Sequence, residues 1–192
     1  MSESLIPIFC LDDIPPQILT SILTKAYPHA IEIQSPPTLL LINNTGNALR
    51  RYTHDDVTYP PVDPSFKSPF LGWEMDEVVR FLREYAAGTI VDHFVFLVAD
   101  QRTAEDESLL LVQSFGDGDS VESVRLAAEY VNTQAVAVAV ATTGVQELRG
   151  LVDEEGVFRG GSEAFIAREW RIWGEFAIDC VRSDNLETDG HT

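Results

Sequence analysis

Apolar positions first line up on a helical stripe at Ile18, Leu19, Ile22, Leu23 and Ala26, within DDIPPQILTSILTKA. Acidic residues precede that stretch and prolines occupy its opening positions, both of which favour a helix start. Pro28 is expected to end the helix, because an interior proline removes an N–H donor and crowds the preceding turn. Before it, LIPIF reads as a short edge strand, the place where Pro7 is tolerated. After it, TLLLI at residues 38–42 reads as a buried strand following Pro36-Pro37. A second stripe, Val78, Phe81, Leu82, Tyr85 and Ala86, runs through WEMDEVVRFLREYAAG. Acidic Glu74, Asp76 and Glu77 near its start, with Arg80 and Arg83 further along, complement a helix macrodipole, and Gly88 suits the C-terminal cap.

From Thr89 onward the pattern becomes β-rich. TIVDHFVFLVAD and SLLLVQSF are two strand-like runs, and GDGD at residues 116–119 is a turn signal. That makes SVESVRLA a third, antiparallel strand. Val121, Val124, Ala128 and Val131 also fit a helical stripe, so periodicity leaves strand and helix both open there. QAVAVAVA carries only small and branched apolar side chains after its first residue, which suits a strand buried on both faces. TTGVQELRGLV reads as a short helix, DEEGVFRGG as a turn with a short extended piece, and AFIAREWRIWGEFAIDCV as a last ordered segment. Between the first and second halves, residues 43–72 are the least structured stretch. Pro60, Pro61, Pro64 and Pro69 separate Tyr59, Phe66 and Phe70 there, and a loop of that length is functional or mobile. The expected architecture is a single α/β domain over residues 1–183, followed by a disordered acidic tail at 184–192. Its sheet is mixed and largely antiparallel, built from residues 91–99, 108–115, 121–127 and 135–141, with flanking helices.

Charge changes the picture of partners. The 192-residue chain carries a net charge of −18, and 19 of its 31 acidic residues lie after residue 98, against seven basic ones. Such a surface repels phosphate backbones and anionic lipid, so nucleic-acid and membrane binding are disfavoured, and a basic protein partner or a small anionic ligand held by arginine is the expectation. Oligomeric state is left open. Only Lys25 and Lys67 are lysines; the other eleven basic residues are arginines, suited to forked pairing with carboxylates. Cys10 and Cys180 stand at opposite ends without a CxxC partner, which is no disulfide framework. MSESLIPIFC has no basic leader region and AVAVAVA is far too short to span a bilayer, so a cytoplasmic location is expected.

No cofactor or metal motif emerges. His29, His54, His93 and His191 are scattered, DGDSVE lacks the spacing of a calcium loop, Gly160-Gly161-Ser162 lacks the closing glycine of a nucleophile elbow, and there is no GxGxxG or Walker sequence. Trp170 and Trp173 are read as core packing. The best candidates for chemistry are Asp100, Arg102 and Arg159. FVFLVADQRT runs an apolar strand into Asp100, where α/β sheets often place ligand-handling groups and where an Asp equally caps the next element. Strand alternation puts Phe94, Phe96, Val98 and Asp100 on one face and His93 on the other, against a His–Asp pair. Arg102 and Arg159 are candidates to converge on Asp100; alternatively Arg159 pairs with Asp153, Glu154 or Glu155.

FLVADQRT with its acidic loop, LLLVQSF, QAVAVAVATTGVQEL and LVDEEGVFRG together resemble an uncharacterised family of small bacterial and fungal proteins, a domain of unknown function. The resemblance spans residues 91–161. It implies the order strand, Asp-Arg/Thr loop, strand, turn, strand, short helix and acidic stretch ending in GVFRG, and it implies no activity. This chain departs from the family where asparagines usually precede the short helix: alanines and Thr142-Thr143 stand there instead. Two functions follow as expectations. One is a non-enzymatic interaction or regulatory module with an acidic surface. The other is a small enzyme or accessory protein of small-molecule (secondary-metabolite) biosynthesis, with Asp100 as acid or base, Arg102 and Arg159 orienting an anionic group, and the aromatic residues of 43–72 as a lid.

Overall fold

A computed structural model describes residues 4–116 and 120–160. Contacts divide the chain after Arg159, and the architecture is that of the first unit, Met1–Arg159. The boundary expected at residue 183, the segment bearing Trp170 and Trp173, and most of the GDGD turn lie outside the described residues.

Six strands make one mixed sheet in the order β2-β1-β3-β4-β5-β6. They are β1 (Ile6–Cys10), β2 (Leu39–Leu41), β3 (Val95–Ala99), β4 (Ser108–Ser114), β5 (Val121–Ala127) and β6 (Val157–Phe158). The longest ladders, β3 with β4 and β4 with β5, are antiparallel; β1 is parallel to both β2 and β3, and β6 is parallel to β5. The α/β expectation holds, and SVESVRLA is a strand. Helices α1 (Pro16–Glu32), α2 (Met75–Tyr85), α3 (Gln101–Asp106), α4 (Val131–Ala139) and α5 (Val145–Arg149) complete the unit.

Period-two alternation sorts the sheet's side chains. Phe9, Phe96, Val98 and Val112 share one face and pack with Val78, Phe81 and Leu82 of α2 and with Leu49 and Phe70. Phe9 is the centre of this cluster, with ring centroids 4.9 Å from Phe70, 6.0 Å from Phe81 and 6.1 Å from Phe96 in edge-on geometry. α4 lies against β3, β4 and α1, covering the face that carries Leu97 and Leu111.

Four expectations are corrected. QAVAVAVA is not a strand: it belongs to α4, in which every residue from Val131 to Val138 is buried. A helix enclosed on all sides has no polar stripe, so its sequence lacks the 3.6-residue signature and reads as a buried strand. LIPIF is not an edge strand but lies inside the sheet, between β2 and β3. Pro7 is tolerated because it falls between the Leu5–Val91 bridge and the Ile8–Leu97 pair, where the ladder to β3 is interrupted. Pro28 does not end α1, which continues to Glu32. Buried Tyr27 and Ala30 on either side hold the last turn despite the lost hydrogen bond. Finally, residues 43–72 are tied down rather than loose. They contain two short 3-10 turns, Gly46–Arg51 and His54–Asp56, and bury Leu49, Val62 and Phe70.

The outer strands of the sheet are capped. Leu39 C=O and Leu41 N–H, which point away from β1, bond to Thr58 N–H and Thr58 Oγ1, each at 2.8 Å. At the opposite edge both backbone groups of Val157 are taken by Asp153: its Oδ1 accepts the Val157 N–H at 2.9 Å, and its own N–H donates to the Val157 carbonyl at 3.0 Å. Arg149 Nε covers the Ser123 carbonyl of β5 at 2.7 Å.

Candidate functional site

The chain leaves β1 through α1 to β2 on one side, then returns through α2 to β3 on the other side of β1. The carboxyl ends of β1 and β3 therefore flank a topological switch point, where open α/β sheets place ligands. Asp12 follows β1 and Asp100 follows β3, and an Asp12 Oδ2 accepts the Gln101 N–H at 2.7 Å.

Asp100 is the N-cap of α3. Its Oδ1 accepts the Thr103 N–H at 3.2 Å, and its own N–H donates to Thr103 Oγ1 at 3.1 Å. Its Oδ2 is taken by Arg125 Nη2 of β5 in an ion pair. Arg125 also donates from Nη1 to Ser108 Oγ at 3.2 Å, and its side chain is only 10% exposed. Burial pushes the Asp100 carboxyl up, but the hydrogen bond and charge of Arg125, with the donors of Thr103, outweigh it and hold the group below the ordinary carboxylate range.

Arg102 and Arg159 do not share Asp100 with Arg125. Arg102 Nε pairs with Asp106 Oδ2 at 2.8 Å, one helical turn on, and its Nη2 donates to the Glu155 carbonyl at 2.9 Å. Arg159 pairs with Asp153 at 2.7 Å and Glu155 at 3.0 Å, as the alternative reading of this residue had it. The two arginines thus meet around Glu155 rather than at Asp100. His93 is remote from these contacts; its ring lies 4.0 Å from that of Phe94. Of the aromatic residues expected as a lid, Phe70 is fully buried, while Tyr59 stays 60% exposed and leans on Tyr27 at 5.7 Å between centroids. Burial pushes the Cys10 thiol up to about 12, which makes it a poor nucleophile. Among the described residues no three His, Cys, Asp or Glu side chains converge to hold a metal, and no helix is long and apolar enough to cross a membrane.

Sequence alone does not single out Arg125. In VESVRLA it stands where alternation suggests a solvated side chain. The usable signal is register: once β4 and β5 form a hairpin, Arg125 falls opposite Leu110, which itself lies opposite Val98, so Arg125 sits on the face and at the end of the sheet where Asp100 emerges.

α3 has one buried residue, Thr103, and its flanking anchors are carboxylates. Besides Asp12, Asp100 and Asp106, Glu107 at its end accepts from Lys25 and from Ser21 of α1. Lys25 holds the Glu107 carboxyl low, with burial opposing; Ser108 and Arg102 do the same for Asp106 against its own burial. Carboxyls depressed in the folded state stabilise it fully above their unfolded pKa of about 4, and that contribution is lost as pH falls through the folded values. The melting temperature is therefore expected to drop below about pH 4, less steeply in Asp100→Asn, and thermal melts across an acid pH series check it. Equal slopes in the two proteins would remove Asp100 from the acid response.

The GVFRG stretch is a clasp built on one acidic residue. Asp153 Oδ1 accepts the N–H groups of Glu155 and Val157, both at 2.9 Å, and its Oδ2 receives Arg159. Gly156 turns the chain at φ +76, where a side chain would be strained. Val157 and Phe158 are then buried, and Phe158 meets Tyr130 at 5.4 Å. A model of the family described as Domain of unknown function (DUF6924) matches residues 43–161, more than half of the chain, with this clasp at the end of the match. The chain belongs to that family. No curated protein and no solved structure matches it. The DUF6924 match takes in α2, α3, α4, α5 and strands β3 to β6, and it starts after β1, α1 and β2.

Proposed function

We propose that this DUF6924 chain is a non-catalytic interaction or regulatory module whose acidic surface receives a basic protein partner. The observation that carries the reading is the engagement of Asp100. One oxygen caps α3 and the other pairs with a buried arginine, so both oxygens of the group that would act as acid or base are engaged inside the domain, although its side chain is 30% exposed. A net charge of −18 supports attraction of a basic partner. Affinity capture on the immobilised full chain is expected to recover basic proteins at low salt and release them as salt is raised, because screening shortens the reach of exposed charges to about 10 Å at 0.1 M. Failure to recover a basic protein at low salt would sink this reading.

A second reading keeps one observation in its favour: Asp100 stands at the carboxyl end of β3, beside the switch point. On that reading the domain is a small enzyme or accessory protein for an anionic small molecule. A thermal-shift screen against metabolites separates the two. A ligand-dependent rise lost in both Asp100→Asn and Arg159→Ala supports the second reading, whereas variants that are merely less stable leave the first.

A further inference from the structure

Among the described helices, α3 alone buries no apolar side chain. Its one buried residue is Thr103, whereas even the shorter α5 buries Val145 and Leu148. Six residues are also far below the roughly 12–15 that a helix needs to persist by itself in water. Polar contacts to its surroundings therefore hold α3 in place. At its start Gln101 N–H donates to Asp12 Oδ2 at 2.7 Å, and Thr103 N–H donates to Asp100 Oδ1 at 3.2 Å. In its middle Arg102 Nη2 reaches the Glu155 carbonyl at 2.9 Å. At its end Glu107 accepts from Ser21 Oγ at 3.0 Å and from Lys25, both on α1. Asp12 and Lys25 are exposed and Arg102 is half-buried, so water competes for these contacts.

The topology lets α3 leave without disturbing the sheet. It is the connection between β3 and β4, and those strands pair directly, with Val98 opposite Leu110. β4 is further paired with β5 from its first residue, Ser108 lying opposite Ala127. Residues 100–107 are thus a loop whose base is closed by ladders on both sides. Unfolding that loop takes no strand off the sheet and uncovers no apolar side chain of its own. α1, α2 and α4 bury rows of apolar side chains and have no such freedom.

We infer that α3 is a strap that opens and recloses at the carboxyl ends of β1 and β3 while the sheet stays folded. Closed, it occupies Asp12 Oδ2 and Asp100 Oδ1 with its own N–H groups. Open, it releases both oxygens beside the switch point. The ion pair of Asp100 Oδ2 with Arg125 stays, because Arg125 is fixed in β5 and donates to Ser108 Oγ at the base of the loop. That pair is the hinge. The strap stands whichever of the two functional readings holds.

Native-state hydrogen exchange on the full chain, followed by NMR over a series of low urea concentrations, tests it. The Thr103 and Glu107 amides are expected to exchange about a hundredfold faster than those of β3 and β4. Their rates should not change with urea, since a local opening exposes little surface, whereas the strand amides accelerate. Asp12→Ala and Lys25→Met each remove one anchor at an exposed position. Each is expected to speed the α3 amides about tenfold, the size of one charge-assisted hydrogen bond, and to leave the strand amides unchanged. Amides of α3 that exchange only with the strands, with the same urea dependence, overturn the inference. So do anchor variants that accelerate strands and α3 alike, or that leave α3 unchanged.

Discussion

Removing residues 1–42 is expected to abolish cooperative folding, although the family match begins only at residue 43. The deleted segment holds β1, which lies between β2 and β3, so the remainder would have β3 as a bare edge. It also holds Phe9, the ring on which Phe70, Phe81 and Phe96 converge. Ile6, Ile8, Phe9, Ile22, Leu23 and Leu40 are each almost fully buried. At about 1.5–3 kcal/mol for each buried side chain, their loss is on the order of 10 kcal/mol. Domains are stable by only about 5–15 kcal/mol, so the remainder has no margin. Circular dichroism and proton NMR on residues 43–192 beside the full chain are the check. A dispersed spectrum with a sharp melt from the fragment would show that the matched region is autonomous. The folding unit is otherwise larger than the matched stretch, and protein prepared for any functional assay should keep the N-terminal segment.

Asp100→Asn is expected to cost about 2–4 kcal/mol, since it leaves the Arg125 guanidinium buried without a counter-charge while the asparagine oxygen can still cap α3. Arg125→Met should cost less, because Asp100 retains Thr103 and its side chain is 30% exposed. Combining the two should recover much of the loss, since a neutral amide beside a thioether strands no charge. Urea titrations of the two single variants and the double variant give the coupling directly. If the double variant simply sums the single losses, the pair is not what holds the carboxyl end of β3 to β5, and Asp100 becomes free for chemistry.

The parts of this fold legible in the sequence are those with one wet and one dry side. α2 shows both faces in alternation of charge and bulk, and the β4–β5 hairpin and the acidic clasp before GVFRG carry their turn residues openly. α4 and β1 depart from their sequence patterns for different reasons: Pro7 signals an edge, yet β1 accommodates it inside the sheet where the ladder to β3 is interrupted, whereas α4 is buried on all sides. An element enclosed by protein shows no alternation, and in α4 even Asn132, Thr133 and Gln134 are buried. Asn132 Oδ1 accepts the Thr38 N–H at 3.0 Å and its Nδ2 donates to the Pro36 carbonyl at 3.0 Å, so a residue type that ordinarily signals solvent instead fastens α4 to the start of β2. At the candidate site, Asp100 was found from its place at a strand end. Its partner was not, because the pairing spans β4 and depends on register rather than proximity in sequence. Arg102 and Arg159 are near in sequence to acids of their own and are engaged by them.

Thr58 at β2, Asp153 at β6 and Arg149 at β5 have a bearing on handling as well as on architecture. Unsatisfied backbone along a flank is where one folded molecule recruits another into fibrils, and here those positions are already occupied by the chain's own groups. Concentrated solutions of the intact protein should therefore remain clear over long storage, and any turbidity that develops would point to molecules in which the Thr58 or Asp153 contacts had come undone.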